Sequence, residues 1–145
     1  TGEVCGIELW MEKRPKAISL STGPYPGFPT DLQSPMLAVL SRAEGISQVR
    51  EEVFEARFKT AGQLQKMGAQ IEVSGNCARI FGQERLLGAR VQAMDLRGGA
   101  ALAAAALAAC GETMITDCIH IERGYEDICR DIRLLHGEIC WVQKK

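Results

Sequence analysis

Glycines that follow amphipathic segments divide much of the chain into short alternating elements. Apolar residues recur at helical spacing from Thr30 to about Ala43, and Gly45 follows where a helix is expected to end. The segment ISQVREEVF predicts a strand, and a second helical segment ends at Gly68. Two strands around an SGN turn follow, and the segment KAISLST predicts a strand before them all. The predicted order is strand, helix, strand, helix, strand, strand.

This order recurs in the second half of the chain at an offset of about 64 to 68 residues. There we predict a strand, a helix ending near Gly111, a strand, a helix ending near Gly137, and a strand in GEICWV. Asp31 falls opposite Asp95, and Gly45 falls opposite Gly111. The repeat predicts an α/β fold of βαβαββ units whose helices pack on one side of their sheets.

The repeat also suggests boundaries within the chain. We expect residues 1–16 to be closing strands of a preceding repeat, residues 17–89 a first βαβαββ unit, and residues 90–145 a second, incomplete one. Both ends therefore look like parts of a longer architecture.

Composition limits the classes of partner. The 145 residues are 24% charged and 46% hydrophobic with a net charge of −1, which indicates neither a basic nucleic-acid surface nor a disordered acidic tail. Apolar runs are shorter than the roughly 20 residues that span a bilayer, and we recognise no signal peptide. We expect a cytoplasmic protein with small-molecule or protein partners, and no nucleic-acid or membrane partner.

The six cysteines show no C-x-x-C pair, and His120 and His136 stand apart from them and from each other. We therefore predict no metal site. Buried, reduced thiols are the main expectation, with a disulfide or one reactive cysteine as the alternative.

A proline-rich loop, TGPYPGFPTDLQ at residues 22–33, leads into the first helix. Its three prolines exclude a central strand or a helix and predict a stiff, extended segment. Either Thr30 or Asp31 caps the helix, or the stiff approach holds the Asp31 carboxylate in one geometry for a substrate.

Two further junctions carry candidate residues. In MDLRGGAALAA, Asp95 and Arg97 bracket a helix start that is suited to an anion; alternatively Asp95 is only a cap and the two glycines allow close packing. In HIERGYED, Arg123 stands at a predicted strand-to-helix junction, where it either presents its guanidinium to an anion or pairs with Glu126 or Asp127.

His120 falls on a short predicted strand, as a half-buried structural residue or a titrating group. The junctions of Asp31, Arg97 and Arg123 all lie where a predicted strand leads into a helix, so we expect them on one face of the sheets. An acid and two arginines on one face suggest an anionic substrate and a proton transfer.

Five runs, TGPYPGFPTDLQ, EEVFEARF, LQKMGAQIEV, DLRGGAAL and HIERGYED, occur in this order. Because of these five runs and their order, the chain resembles the C-terminal part of enolpyruvyl transferases, specifically the UDP-N-acetylglucosamine 1-carboxyvinyltransferases. The resemblance implies that Asp31 is the base that deprotonates the sugar 3-hydroxyl as it attacks phosphoenolpyruvate. It implies that Val53 and Phe54 contact the uridine nucleotide sugar. It also implies that Arg123 binds phosphoenolpyruvate and that Arg97 lies near its anionic groups through the tetrahedral intermediate.

The resemblance further implies that Arg57 and Asp95 line the active site, with less defined roles. It implies a two-domain enzyme built as inside-out α/β barrels of βαβαββ copies, acting without a cofactor in the first committed step of peptidoglycan synthesis. The family's catalytic lysine, asparagine and loop cysteine belong to an N-terminal part that would be the partner of this chain, so we expect the chain alone to be inactive.

The chain has DLRGGAA where the family usually has DLRASAS, which removes hydroxyl groups from the helix start. Two other interpretations stay open. The chain could be a non-catalytic remnant that binds a UDP-sugar, or part of the sister transferase that acts on shikimate 3-phosphate, which should lack the TGPYPGFPTD loop.

Overall fold

The computed structural model describes residue 6 and residues 8–142 of the chain. The strands predicted in TGEVCGIELW therefore lie largely outside the described residues, and the division into repeats at 16/17 and 89/90 stays a prediction. In the part of the chain that is described, no helix is long and apolar enough to cross a membrane.

The first half follows the predicted order of elements. In chain order it contains β1 (Ser19–Ser21), a 3-10 helix (Thr30–Leu32), α1 (Gln33–Leu40), β2 (Ile46–Arg50), α2 (Lys59–Lys66), β3 (Gln70–Ser74) and β4 (Cys77–Phe81). Gly45 and Gly68 have φ angles of +101° and +87°, the left-handed region in which glycine ends a helix without strain. The strand predicted to reach Phe54 ends at Arg50, and the rest of that segment is a loop.

These four strands form one sheet in the order β1-β2-β4-β3, with β1 parallel to β2 and the other pairs antiparallel. Alternation places Val49, Ala78 and Ile80 on one face, where each is fully buried. Leu37 of α1 and Leu64 of α2 are fully buried in the same core. The helices of this half therefore pack on one side of the sheet, as predicted.

The second half has shorter strands. It contains β5 (Leu86–Leu87), β6 (Arg90–Gln92), α3 (Leu96–Leu107), β7 (Ala109–Cys110), β8 (Met114–Thr116), α4 (Ile119–Glu122) and α5 (Ile128–Leu134). Strand β5 pairs with β7 and β6 with β8, both in parallel. The strand predicted in GEICWV is wrong for its described residues, 137–142, which form no strand. They have no neighbouring strand to complete a hydrogen-bonded ladder.

His120 lies in the one-turn helix α4 and not on a strand, so that prediction is wrong. Its neighbours explain the error, because in a strand Ile119 and Ile121 would face the same side. In the structure Ile121 is 3% exposed and Ile119 is 65% exposed. Asp117, with a φ of +57°, ends the extended backbone just before this turn.

Helix α3 lies at the centre of the structure and packs mainly against α1, α2 and α4. Its close contacts are largely with these helices. A Cβ atom added at Gly98 would lie 2.6 Å from Thr60 Oγ1, and one at Gly99 would lie 2.5 Å from Ile121 Cγ1. Both glycines are therefore required for the close approach of α2 and α4.

The five cysteines of the described residues are all free. Cys129 is buried, Cys77 and Cys118 are half-buried, and Cys110 and Cys140 are exposed. The expectation of buried thiols is therefore wrong for Cys110 and Cys140, which lie on the short strand β7 and on the surface segment after α5. Cys5 lies outside the described residues.

Candidate functional site

The proline-rich loop is a closed turn that is hydrogen-bonded to the end of β2. The backbone N–H of Thr22 donates to Arg50 O at 2.9 Å, and Thr22 Oγ1 accepts from the N–H of Glu52 at 2.9 Å. Inside the loop, Gly23 N–H donates to Phe28 O at 2.9 Å. The loop doubles back on itself, so the prediction of an extended segment is wrong, and its stiffness stays a prediction. The closed loop is followed directly by the 3-10 helix that carries Asp31.

Asp31 lies in the 3-10 helix between two guanidinium groups. Its Oδ1 is 2.6 Å from Arg97 Nε and 3.3 Å from Arg57 Nη2, and its side chain is 60% exposed. Pro29 occupies the cap position, and no side-chain cap hydrogen bond is made there. The alternative in which Thr30 or Asp31 caps the helix is therefore wrong. Asp31 is an accessible carboxylate held by two cations.

Arg97 controls the ionisation of Asp31. Its hydrogen bond to Asp31 is the largest influence that holds the pKa of that carboxyl below its ordinary value, and the positive charges of Arg97 and Arg57 act in the same direction. Partial burial opposes them. Asp31 is consequently a carboxylate at neutral pH, able to accept a proton.

A buried network supports this pair from the side of the first unit. Arg57, whose side chain is 16% exposed, donates from Nη1 to Thr30 Oγ1 at 3.0 Å. Thr30 Oγ1 donates to Glu51 Oε2 at 2.9 Å. The Arg57 guanidinium also lies 4.6 Å from the centre of the Phe54 ring, a cation–π distance. Val53 and Phe54 are both exposed and form the loop beside this network.

Sequence reasoning missed Glu51 and the role of Thr30 as its partner. A signal for Glu51 was present in the alternation of β2, because Ser47 and Val49 face the core and Glu51 continues that side of the strand. A carboxylate on a core-facing position requires specific hydrogen-bond donors. No comparable local pattern marks the contact between Thr30 and Glu51.

Asp95 acts as the N-cap of α3. Its Oδ1 accepts a hydrogen bond from Gly98 N–H at 2.7 Å, which confirms the capping interpretation for this residue. The carboxylate thus occupies the helix N-terminus that was a candidate anion site. Arg97, in the same turn, points to Asp31 instead and is 38% exposed. The lining role of Asp95 stays a prediction.

Arg123 lies at the C-terminal end of α4, between two helices and not at a strand-to-helix junction. The predicted pairs with Glu126 or Asp127 are wrong: Glu126 lies 3.9 Å from Arg130, and Asp127 caps α5 through the N–H of Arg130. Within residues 8–142, Arg123 has no ion-pair partner within 4.0 Å.

The position of Arg123 is set by its neighbour Gly124. A Cβ atom at Gly124 would collide with the Leu96 side chain, so this turn rests on the first residue of α3. Leu96 directly precedes Arg97 in the chain. The structure therefore brings Arg57 and Arg97 into contact with Asp31, and it leaves the exposed Arg123 on a turn that packs against α3. Their roles in binding or catalysis stay predictions.

The described residues contain no group of three or more histidine, cysteine or acidic side chains that could hold a metal ion. The site offers the ionised Asp31 carboxylate, the guanidinium groups of Arg57 and Arg97, and the exposed Phe54 ring. Such a set can accept a proton and neutralise an anionic ligand.

The fold and site together define an α/β protein in which a carboxylate of the first half meets an arginine of helix α3. The family model described as EPSP synthase (3-phosphoshikimate 1-carboxyvinyltransferase) matches residues 2–132, and the chain therefore belongs to this family of enolpyruvyl transferases.

Its relatives include UDP-N-acetylglucosamine 1-carboxyvinyltransferase of Thermotoga maritima, which is 49% identical over 96% of this chain and 33% of that protein. UDP-N-acetylglucosamine 1-carboxyvinyltransferase 1 of Clostridium perfringens is 50% identical over 86% of this chain and 30% of that protein. The chain spans about a third of the length of these relatives and corresponds to their C-terminal portion.

Solved structures agree with the fold. The enolpyruvyl transferase NikO from Streptomyces tendae superimposes with a TM-score of 0.78 at 30% identity, over 86% of this chain and 29% of that chain. EPSP synthase from Acinetobacter baumannii gives a TM-score of 0.56 at 21% identity, over 74% of this chain and 26% of that chain. The predicted enolpyruvyl transferase fold class is confirmed; the described residues form separate four-stranded and two-stranded sheets that do not close a barrel.

Proposed function

We propose that this chain is the C-terminal part of a transferase that moves the enolpyruvyl group of phosphoenolpyruvate to the 3-hydroxyl of UDP-N-acetylglucosamine, releasing phosphate. The observation that carries the proposal is the contact of Asp31 with Arg57 and Arg97. The names of the relatives support the choice of substrates. The reaction would serve peptidoglycan synthesis.

In the proposed reaction Asp31 accepts the proton of the sugar 3-hydroxyl while that oxygen forms a bond to C2 of phosphoenolpyruvate. The methylene carbon C3 gains a proton in this addition and returns one when the C2–phosphate bond breaks. We assign the proton transfers to and from C3 to residues outside this chain. Arg97 and Arg123 would neutralise the phosphate and carboxylate groups, since a guanidinium binds such anions through two parallel hydrogen bonds.

The hydrogen bond between Arg97 and Asp31 suggests how base strength could depend on substrate. In the free protein Arg97 lowers the pKa of Asp31, which makes it a weak base. An anionic substrate that takes up Arg97 would remove the largest of these influences. The pKa of Asp31 would then rise toward its ordinary value, and the carboxylate would become a better proton acceptor when substrate is present.

The exposed Val53 and Phe54 are proposed to contact the uridine nucleotide sugar. They belong to the same loop network as Arg57, because the Phe54 ring lies against its guanidinium. The contact supports a proposed nucleotide-binding surface next to the proposed base. Remote binding of the nucleotide would thus orient the sugar hydroxyl toward Asp31.

The proposal is tested with the purified 145-residue chain and with a full-length enzyme that carries this sequence as its C-terminal third. Phosphate release from phosphoenolpyruvate and UDP-N-acetylglucosamine should be measurable for the full-length enzyme and absent for the chain alone. Release by the chain alone would overturn its dependence on an N-terminal partner. A full-length enzyme that releases phosphate with shikimate 3-phosphate and not with UDP-N-acetylglucosamine would overturn the substrate assignment.

A non-catalytic UDP-sugar-binding protein would give a different result. It would bind UDP-N-acetylglucosamine, with amide shifts at Val53 in a nuclear magnetic resonance titration, and the full-length protein would release no phosphate. The absence of shifts at millimolar ligand would remove that interpretation.

A further inference from the structure

Glu51 is a carboxylate buried beneath the proposed site. It directly follows β2 and is 2% exposed, whereas the next residue, Glu52, is exposed. A buried carboxylate requires hydrogen-bond donors to replace water, so its partners reveal what it holds in place.

The partners of Glu51 come from two segments. Its Oε1 accepts from the backbone N–H groups of Val53 at 3.0 Å and Phe54 at 3.1 Å. Both of its oxygens lie within hydrogen-bond distance of Thr30 Oγ1, at 3.0 and 2.9 Å. One carboxylate therefore joins the Val53-Phe54 turn to the 3-10 helix that carries Asp31.

The link continues from Thr30 to the proposed base. Thr30 Oγ1 accepts from Arg57 Nη1 at 3.0 Å, and Nη2 of the same guanidinium lies 3.3 Å from Asp31 Oδ1. The planar guanidinium cannot change one contact without disturbing the other. A displacement of Glu51 would thus be transmitted to Asp31 on one side and to the Val53-Phe54 turn on the other.

We propose that Glu51 is a positioning residue that holds the nucleotide-sugar contact surface and the proton-accepting carboxylate in one fixed relation. The inference rests on the proposed function and adds to it a residue that touches no substrate. Its physical reason is that a hydroxyl must meet both its base and C2 of phosphoenolpyruvate within a narrow range of distance and angle. Loss of the carboxylate would relax both segments while leaving Asp31, Arg57 and Arg97 present.

The test compares Glu51→Gln with Glu52→Gln in the full-length enzyme. Both substitutions remove one negative charge from adjacent positions, but only Glu51 carries the hydrogen bonds. We expect Glu51→Gln to lower kcat/KM by about ten- to a hundredfold, with changes in both kcat and the KM for UDP-N-acetylglucosamine. We expect Glu52→Gln to behave as wild type.

Two variants of Thr30 separate the arms of the network. Thr30→Val removes the hydroxyl that joins Glu51 to Arg57 but leaves the bonds to Val53 and Phe54, so kcat should fall while the KM for the nucleotide sugar changes little. Thr30→Ser keeps the hydroxyl and should restore wild-type kcat. A loss of folded enzyme would also lower the apparent kcat without changing KM, so kcat is expressed per folded molecule, with the folded fraction taken from thermal unfolding. A kcat per folded molecule that stays low in Thr30→Val and returns in Thr30→Ser indicates positioning, and this comparison remains measurable if Glu51→Gln does not fold.

The outcomes are distinct. An active wild-type enzyme in which Glu51→Gln matches Glu52→Gln would overturn the role of Glu51 and leave the proposed function standing. Wild-type kcat in Thr30→Val would overturn the link to Asp31. A wild-type enzyme that releases no phosphate from the two substrates would overturn the proposed function and this inference together.

Discussion

Asp31 and Asp95 each stand near the start of a helix, yet their carboxylates do different things. Asp95 is the N-cap of α3, with an extended φ of −160°, and its side chain turns back to Gly98 N–H at 2.7 Å. Asp31 lies inside a 3-10 turn whose cap position is taken by Pro29, and its side chain contacts Arg57 and Arg97. Asp31 lies two residues after its cap position whereas Asp95 occupies the cap itself, and this difference separates an accessible carboxylate from a helix-stabilising one.

The largest expected effect concerns turnover. Asp31→Asn in the full-length enzyme removes the proposed proton acceptor, and loss of a general base typically costs roughly a hundred- to ten-thousandfold in rate. Because Asp31 is exposed and caps no helix, the thermal unfolding midpoint should stay close to that of wild type. Phosphate release and thermal unfolding are the measurements. Wild-type turnover in this variant would contradict the role of Asp31 as proton acceptor.

The second prediction tests the close packing at the start of α3. Gly99→Ala would place a Cβ atom 2.5 Å from Ile121 Cγ1, and overpacking of this kind costs about 1–3 kcal/mol. Urea unfolding should show the loss. The control is a double-mutant cycle with Ile121→Ala, in which relief of the collision makes the two effects non-additive. Strict additivity would contradict the packing explanation for a glycine at this position.

The third prediction concerns the cap itself. Asp95→Ala should lower the free energy of unfolding by about 1 kcal/mol, because Gly98 N–H loses its acceptor. Asp31→Ala should lower it by less, since no backbone donor depends on that carboxylate. Urea unfolding of the two variants under identical conditions gives the comparison. Equal losses would mean that the two aspartates are structurally equivalent.

The smallest expected effect is in the ionisation of Asp31. Arg97→Met should raise the pKa of Asp31 toward 3.8, its ordinary value, because the largest lowering influence is removed. A titration of the Asp31 carboxyl carbon by nuclear magnetic resonance measures the shift. In wild type the folded pKa lies below the unfolded one, so this group stabilises the fold above about pH 4 and loses its contribution as the pH falls through the folded pKa. An unchanged pKa would contradict the ion pair.

Local sequence patterns predicted much of the first unit because each element there has its own periodicity and stop signal. Gly45 and Gly68 adopt positive φ where the pattern predicted helix ends. Prediction failed around His120 and Arg123, where the alternation of Ile119 and Ile121 is typical of a strand. Packing of Ile121 on Gly99 decided in favour of a helical turn, and no local pattern contains that contact.

The sequence by itself determined the order of helices and strands in the first half of the chain, and which acid and arginines were candidates for a site. The tertiary structure decided which of these side chains meet. Arg97 reaches Asp31 because α3 packs against α1, a contact between segments far apart in the chain. Glu51 became part of the site for the same reason, since its donors come from a distant turn as well as its own loop. Periodicity acts over a few residues, whereas these distances depend on how whole elements pack.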